Sequence, residues 1–111
     1  MTTILLPGRS LMSDAAADAA ALWHLKAMVL DGARISWEIP HAREQAAERD
    51  VPVFEAERVI RAAAALRITE RNGEPRWRVS GWDSDQRPID VVVKPVGDHT
   101  LRVITVIRRD E

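Results

Sequence analysis

Residues 39–52 read Ile39-Pro40-His41-Ala42-Arg43-Glu44-Gln45-Ala46-Ala47-Glu48-Arg49-Asp50-Val51-Pro52 and combine a short helix with several chemically active side chains. Pro40 suits the first position of a helix, where its missing N–H costs nothing. Val51 ends this helix, because a residue that precedes proline avoids the helical conformation, and Pro52 begins the next helix. His41 falls in the first helical turn, where free backbone N–H groups attract anions. The sequence therefore predicts a candidate site at this helix.

A long helix is predicted before this stretch, from Ser13 to Leu30. Ser13 suits its N-cap and Asp31-Gly32 suit its end. Asp18 and Lys26 argue against a membrane span. The apolar side chains cover a wide arc formed by Leu11, Leu22, Trp23, Leu25, Met28, Val29 and Leu30. Two alternatives follow, which are packing over a sheet and a homodimer contact through this helix.

The chain after Ala65 alternates between apolar and polar residues, which predicts strands. The four predicted strands are Leu66–Arg71, Arg76–Asp83, Ile89–Pro95 and Leu101–Arg109, with an Asn72-Gly73 hairpin turn after the first. The last strand is apolar on both faces, so we expect a further segment, Ala33–Ile39 or Thr3–Leu6, to pair beside it. The expected fold is α+β, with helices on one face of a mainly antiparallel sheet of four to five strands.

The alternation also assigns side chains to the two faces of the sheet. In the second predicted strand, Trp77 and Val79 are expected on one face and Arg78, Ser80 and Trp82 on the other. In the third, Ile89, Val91 and Val93 are expected on one face and Asp90, Val92 and Lys94 on the other. A length of 111 residues suits one domain, with residues 1–32 as a helical extension and residues 33–111 as the α+β core.

The net charge of −1 conceals an uneven distribution along the chain. Residues 1–57 carry five basic and nine acidic side chains, whereas residues 58–109 carry eleven basic and six acidic ones. Ten of those eleven are arginine, whose planar and permanently charged guanidinium suits phosphate or carboxylate. The C-terminal half therefore offers either an anion-binding face or solvated strand faces that discourage edge aggregation.

Several classes of site are not supported by the sequence. The chain has no cysteine, its three histidines lack metal-ligand spacing, and no glycine-rich phosphate loop or nucleophile-turn motif is present. We expect neither a metal nor a cofactor. The opening residues lack the pattern of a secretory signal, and the absence of cysteine fits a cytoplasmic location.

His41 is the first candidate catalytic residue, because imidazole can act as a general acid or base near neutral pH. The alternative is that His41 only orders the start of its helix. Arg43, Arg49, Arg78 and Lys94 are candidates for phosphate binding, and the alternative for each is a solvated or structural role. Trp82 shares the face assigned to Arg78 and could stack on a nucleic-acid base, although most tryptophans are core residues.

Three short stretches carry a family resemblance. The segment His41-Ala42-Arg43-Glu44 with Glu48-Arg49 and Val51, the segment Arg78-Val79-Ser80-Gly81 and the segment Val103-Ile104-Thr105-Val106 together resemble the bacterial domain-of-unknown-function family 4258. That family looks like a distant relative of the RelE-like and barnase-like toxin nucleases, which are small α+β folds. The resemblance covers residues 34–109.

The resemblance implies a site composed of His41, Arg49 at the end of the same helix and Thr105 on the final strand. The chain departs from the family pattern at Gln45, where an arginine is common, and at Asp50, where a glycine is common. The first hypothesis is a toxin-like, metal-independent ribonuclease with His41, Arg49 and Arg78 as catalytic residues. In this hypothesis Arg43, Trp82, Lys94 and Thr105 bind the RNA, and a protein antitoxin is an expected partner.

The second hypothesis is a catalytically inactive protein-interaction module with the same fold, associated as a homodimer through the N-terminal helix. The acidic pI of 6.3 and the absent arginine at position 45 favour this alternative.

Overall fold

The computed structural model describes residues 14–110, which form three helices and one five-stranded sheet. In chain order the elements are α1 (Asp14–Leu30), β1 (Arg34–Ser36), α2 (Pro40–Glu48), α3 (Val53–Ala62), β2 (Ala65–Arg71), β3 (Glu74–Trp82), β4 (Pro88–Val96) and β5 (Thr100–Arg108). The predicted α+β fold with helices on one side of the sheet is confirmed. The predictions for Ser13, Leu11 and Thr3–Leu6 lie outside the described residues.

The strand order is β1-β5-β4-β3-β2, and β1 is the one strand of this sheet that pairs in parallel. β1 lies beside β5 through the pairs from Arg34 with Thr100 to Ser36 with Arg102. The prediction that Ala33–Ile39 pairs with the final strand is thus confirmed over three residues. At the first hairpin, Asn72 and Gly73 both have positive φ, at 54° and 78°, as a primed two-residue turn requires.

One face of the sheet packs against the helices and forms the core. The residues predicted on one side of β3 and one side of β4 all belong to the buried cluster, which therefore includes Trp77, Val79, Ile89, Val91 and Val93. The helices contribute their own buried apolar residues to the same cluster, which are Ala21, Leu25 and Met28 from α1, Ala42 and Ala46 from α2, and Ala56, Val59 and Ile60 from α3. α3 packs so closely on β3 that an added Cβ at Gly81 would lie 3.1 Å from Val59 Cγ1.

The opposite face of strands β2 to β5 carries most of the charge, and we call it the open face. Its ionisable residues are Arg67, Arg71, Arg76, Arg78, Lys94, Arg102 and Arg109, with Glu74 and Asp90. None of α1, α2 and α3 contributes a buried residue to this face. Seven positive and two negative side chains leave it with a net charge of +5.

α2 runs beside β5, past the point where β1 ends. The sequence predicted that this helix extends to Val51, but it ends at Glu48, and Asp50 has a left-handed φ of 55°. The carbonyl oxygens of Arg49 and Asp50 accept hydrogen bonds from Arg108, each at 2.9 Å. A side chain on β5 therefore binds the backbone at the end of α2, which fixes the helix against the strand.

Arg108 also forms a buried ion pair with Asp83, with 3.0 Å between Nη1 and Oδ2. The predicted strand Arg76–Asp83 ends one residue earlier than expected, at Trp82, because the Asp83 side chain binds the backbone of the turn that follows. Its Oδ1 accepts from the backbone N–H groups of Asp85 and Arg87. The Arg87 N–H and the Arg108 guanidinium hold the pKa of Asp83 below its ordinary value.

α1 buries one side over the sheet and exposes the other. Leu25 and Met28 are buried, whereas Trp23 and Leu30 are 75% and 89% exposed. The Asp18 carboxylate accepts a hydrogen bond from the Ile68 N–H at the outer edge of β2, at 2.9 Å. The packing alternative for this helix is confirmed, and the homodimer stays a prediction. Among residues 14–110, no helix combines the length and apolar character that crossing a membrane requires.

Candidate functional site

His41, Gln45 and Thr105 form a continuous hydrogen-bonded relay from α2 to β5. Gln45 Nε2 lies 2.8 Å from His41 Nε2, one helical turn away. Gln45 Oε1 accepts a hydrogen bond from the Thr105 hydroxyl. His41 is exposed, whereas Gln45 and Thr105 are half-buried. Thr105 thus connects the exposed imidazole to the sheet.

The orientation of the Gln45 amide bears on which nitrogen of neutral His41 carries the proton. An amide nitrogen donates and cannot accept, so His41 Nε2 is the acceptor in its contact with Gln45. The proton of the neutral imidazole must then be on Nδ1. In this arrangement His41 can donate a hydrogen bond from Nδ1 while Gln45 occupies Nε2.

Thr105 belongs to a row of paired residues that crosses the open face. Arg67 pairs with Arg78, Arg78 with Val92, and Val92 with Thr105. Paired residues of an antiparallel sheet point to the same face, so Thr105 is at the open face. An irregularity at Ile104, the extra residue of β5 between the pairs to Val92 and Val93, sets this register. Neighbouring strands are about 4.8 Å apart, which places Arg78 about 10 Å from Thr105.

Arg78 is held by a buried carboxylate. Its Nε lies 2.5 Å from Asp90 Oδ2, and Arg109 Nε lies 2.6 Å from Asp90 Oδ1. Asp90 is only 2% exposed, although it is on the face that the three helices leave uncovered. One carboxylate thus orients two guanidinium groups, whose remaining N–H groups can still donate.

Two other predicted binding residues are also on the open face. Lys94 forms an ion pair with Glu74, so its charge is partly neutralised. Trp82 is 55% exposed, and the Arg109 guanidinium carbon lies 6.0 Å from its ring centroid. An exposed indole beside arginines can stack on an unpaired base.

Arg43 and Arg49 are placed differently. Arg43 is exposed and lines a shallow cavity with β1 residues and Glu38. Arg49 is half-buried at the C-cap of α2, and its Nη1 has no hydrogen-bond partner in the part of the chain that the structure describes. Eight residues separate it from His41, which is about 12 Å along a helix axis. The structure therefore does not bring His41, Arg49 and Arg78 into one compact cluster.

Three contributors to the site were not predicted from the sequence. Gln45 was given no binding or catalytic role, yet it links His41 to Thr105. Arg67 and Arg109 were counted among the C-terminal basic residues without a role. A signal for Asp90 was present, because a single carboxylate interrupts the apolar run from Ile89 to Val93.

The comparisons with known proteins agree with the family resemblance. No curated protein and no solved structure matches the chain. The sequence model of a family described as a domain of unknown function (DUF4258) matches residues 40–108, which span α2 to the end of β5. The match contains the whole relay and six of the seven basic residues of the open face; Arg109 lies one residue beyond it. The chain therefore belongs to the DUF4258 family.

Proposed function

We propose that this protein is a metal-independent ribonuclease that binds single-stranded RNA on the open face and cleaves it beside His41. The observation that carries the proposal is the position of the relay at the rim of a sheet face with a net charge of +5. Positive groups bind the phosphate backbone without regard to sequence, and exposed Trp82 offers a surface for an unpaired base.

In the proposed reaction the RNA supplies its own nucleophile. The 2′-oxygen bonds to the adjacent phosphorus, its proton leaves to water, and the bond from phosphorus to the 5′-oxygen breaks. His41, as the imidazolium with both ring nitrogens protonated, donates its Nδ1 proton to the departing 5′-oxygen and afterwards regains a proton from water. The products are a 2′,3′-cyclic phosphate and a 5′-hydroxyl. Lys94 lowers the cost of the charge that builds up on the phosphorane, by about 3 kcal/mol for a well-placed donor. Arg78, about 10 Å from Thr105, is too far from the cleaved bond for this role and contributes to RNA binding instead.

The distant similarity to RelE-like and barnase-like toxin nucleases, which the sequence resemblance implies, favours the same reaction class, although a shared fold alone does not establish chemistry. If the protein also shares the toxin function of those nucleases, its partner is a protein antitoxin in the bacterial cytoplasm. An antitoxin that neutralises this protein would need acidic groups to match the open face.

Substitution of His41 tests the proposal. We expect His41→Ala to lower the cleavage rate of a single-stranded RNA by about 10²–10⁴-fold, the usual contribution of a general acid or base. His99→Ala is the matched control, because His99 is also exposed but lies in the β4–β5 turn and has no part in the relay. Its Nδ1 lies 3.9 Å from Asp31 Oδ2. Equal activity of His41→Ala and wild type would contradict the proposed role.

A second candidate function is a protein-interaction module, and the exposed side of α1 favours it. Ala20, Trp23, Ala27 and Leu30 are all exposed and follow one another at three- and four-residue intervals, as in a helix-pairing seam. Lys26 is exposed beside this line, with its Nζ 6.0 Å from the Trp23 ring centroid. Such an apolar line suits a second copy of the same helix.

A further inference from the structure

One cavity on the open face lies apart from the relay and is lined by arginines. Its lining comprises Ala65, Leu66, Arg67, Arg78, Ser80, Asp90 and Arg109, around a volume of about 280 Å³. Three guanidinium groups and one carboxylate give this cavity a net charge of +2. The relay residues do not line it.

The arrangement of charge in this cavity is unfavourable without an anion. Arg67 and Arg78 are directly opposite on neighbouring strands, and like charges at paired positions destabilise a sheet. Asp90 pairs with both Arg78 and Arg109, so it offsets one of their two charges, and it forms no ion pair with Arg67. Within residues 14–110, the Arg67 side chain makes neither an ion pair nor a hydrogen bond. Asp14 and Asp18 line an adjoining cavity with Arg67 without pairing to it.

The cavity is also preorganised. Asp90 is 2% exposed and holds Arg78 and Arg109 at 2.5 and 2.6 Å, so both guanidinium groups are oriented before a ligand arrives. Arg109 Nη2 donates to the Gly81 carbonyl at 3.1 Å, which fixes its other end. Oriented guanidinium donors suit a phosphate, which accepts several hydrogen bonds in a fork geometry.

From these observations we propose that Arg67, Arg78 and Arg109 form a phosphate subsite separate from the relay. Its ligand is an internal phosphodiester of the RNA strand, held between β2 and β3 while the cleaved bond lies at the β5 rim. The spacing of the strands puts the subsite about 10–14 Å from Thr105, so the bound phosphate belongs to a nearby nucleotide and not to the cleaved bond. This inference rests on the proposed RNA-binding function and adds a direction, in which the RNA crosses the strands from β2 towards β5.

The test measures binding of a non-cleavable 2′-O-methyl RNA oligonucleotide by fluorescence anisotropy at several salt concentrations. Arg67→Ala is expected to raise the Kd about fivefold and to lower the slope of log K against log salt by about 1. Arg67 is exposed and has no side-chain partner among the described residues, so this substitution leaves the fold intact. Arg71→Ala is the matched control, because Arg71 is also exposed on the same face of β2 but does not line the cavity. We expect it to change the Kd less than twofold.

Equal effects of Arg67→Ala and Arg71→Ala, or no effect of either, would overturn the subsite. Oligonucleotides with and without a 5′-phosphate distinguish an internal phosphodiester from a terminal phosphate. An Arg67 effect confined to the 5′-phosphorylated strand would overturn the proposed placement along the RNA.

Parallel cleavage assays separate this inference from the proposed function. RNA binding that depends on Arg67, without cleavage of ordinary RNA, would reject the ribonuclease and retain the subsite. Cleavage that depends on His41, with binding insensitive to Arg67, would reject the subsite and retain the ribonuclease. Failure of the wild-type protein to bind the oligonucleotide would reject both.

Discussion

At the scale of single residues, Gln45 influences the orientation and the tautomer of the His41 imidazole. Its Nε2 lies 2.8 Å from His41 Nε2 and its Oε1 accepts from Thr105, an arrangement that favours the His41 tautomer with the proton on Nδ1. Its amide carries both a donor and an acceptor, whereas an arginine side chain at this position could only donate. Gln45 therefore orients the histidine and does not add charge to the site.

We predict that in the Gln45→Ala variant neutral His41 is no longer restricted to one tautomer. In the wild-type protein at a pH where His41 is neutral, ¹⁵N NMR should show a proton on Nδ1, and in the variant the two tautomers should mix. The RNA cleavage rate should fall by about tenfold, which is less than the loss expected for His41→Ala, because the imidazole is retained but not oriented.

Thr105→Val tests whether the hydrogen bond from Thr105 to Gln45, and not the packing of the Thr105 side chain, orients His41. Valine keeps the shape of threonine but cannot donate to Gln45 Oε1, so the variant should shift the His41 tautomer in the same direction as Gln45→Ala. A wild-type His41 that is already a tautomer mixture, or tautomers unchanged in both variants, would contradict the proposed role of Gln45.

At the scale of elements, the close contact of α3 with β3 depends on the absence of a side chain at Gly81. We predict that Gly81→Ala lowers the free energy of unfolding by about 1–3 kcal/mol, because the new Cβ would lie 3.1 Å from Val59 Cγ1. Urea denaturation measures this loss. In a Val59→Ala background the same substitution should cost less, because the crowding methyl groups are gone. An equal cost in both backgrounds would show that the contact is not responsible.

The elements themselves were largely predictable from local sequence. Alternation from Trp77 to Trp82 assigned the two faces of β3 correctly, because side chains of a strand alternate with a period of two. The Asn72-Gly73 turn was predictable for the same local reason. The early end of α2 was not, because it depends on Arg108, which is distant in the sequence and binds the Arg49 and Asp50 carbonyls.

The site was less predictable than the elements, because it depends on the register between strands. The pairing of Val92 with Thr105 follows an irregularity at Ile104, and no local pattern encodes it. The shared carboxylate of Asp90 likewise requires β3 and the end of β5 to meet around β4. His41 and Thr105 were predicted site residues, but the glutamine that joins them became visible only in three dimensions.

For the molecule as a whole, the net charge hides a strongly positive surface. The net charge is −1, whereas the open face carries +5, so an anionic polymer meets a positive surface on a nearly neutral protein. The uneven charge along the sequence indicated this face in advance, because all residues of strands β2 to β5 lie within the basic stretch 58–109. The exposed side of α1 is a separate surface with no such charge.

Association through α1 is a whole-molecule prediction that light scattering can check. If two copies pair through Trp23 and Leu30, Trp23→Glu and Leu30→Glu should each convert a dimer to a monomer without loss of folding. Leu25 and Met28 are unsuitable for this test, because both are buried in the core of one chain. Phe54→Glu is the control, since Phe54 is 68% exposed but is on α3. A wild-type protein that is monomeric at high concentration would contradict pairing through α1.

The central claim is that the open face and His41 together cleave RNA, and the ends of the reaction products test it most directly. Purified wild-type protein would be incubated with an end-labelled single-stranded RNA in the presence of EDTA, and the products identified by mass spectrometry. We predict fragments that end in a 2′,3′-cyclic phosphate and begin with a 5′-hydroxyl. RNA that stays intact at an excess of folded protein would contradict the claim, as would products with a 3′-hydroxyl and a 5′-phosphate.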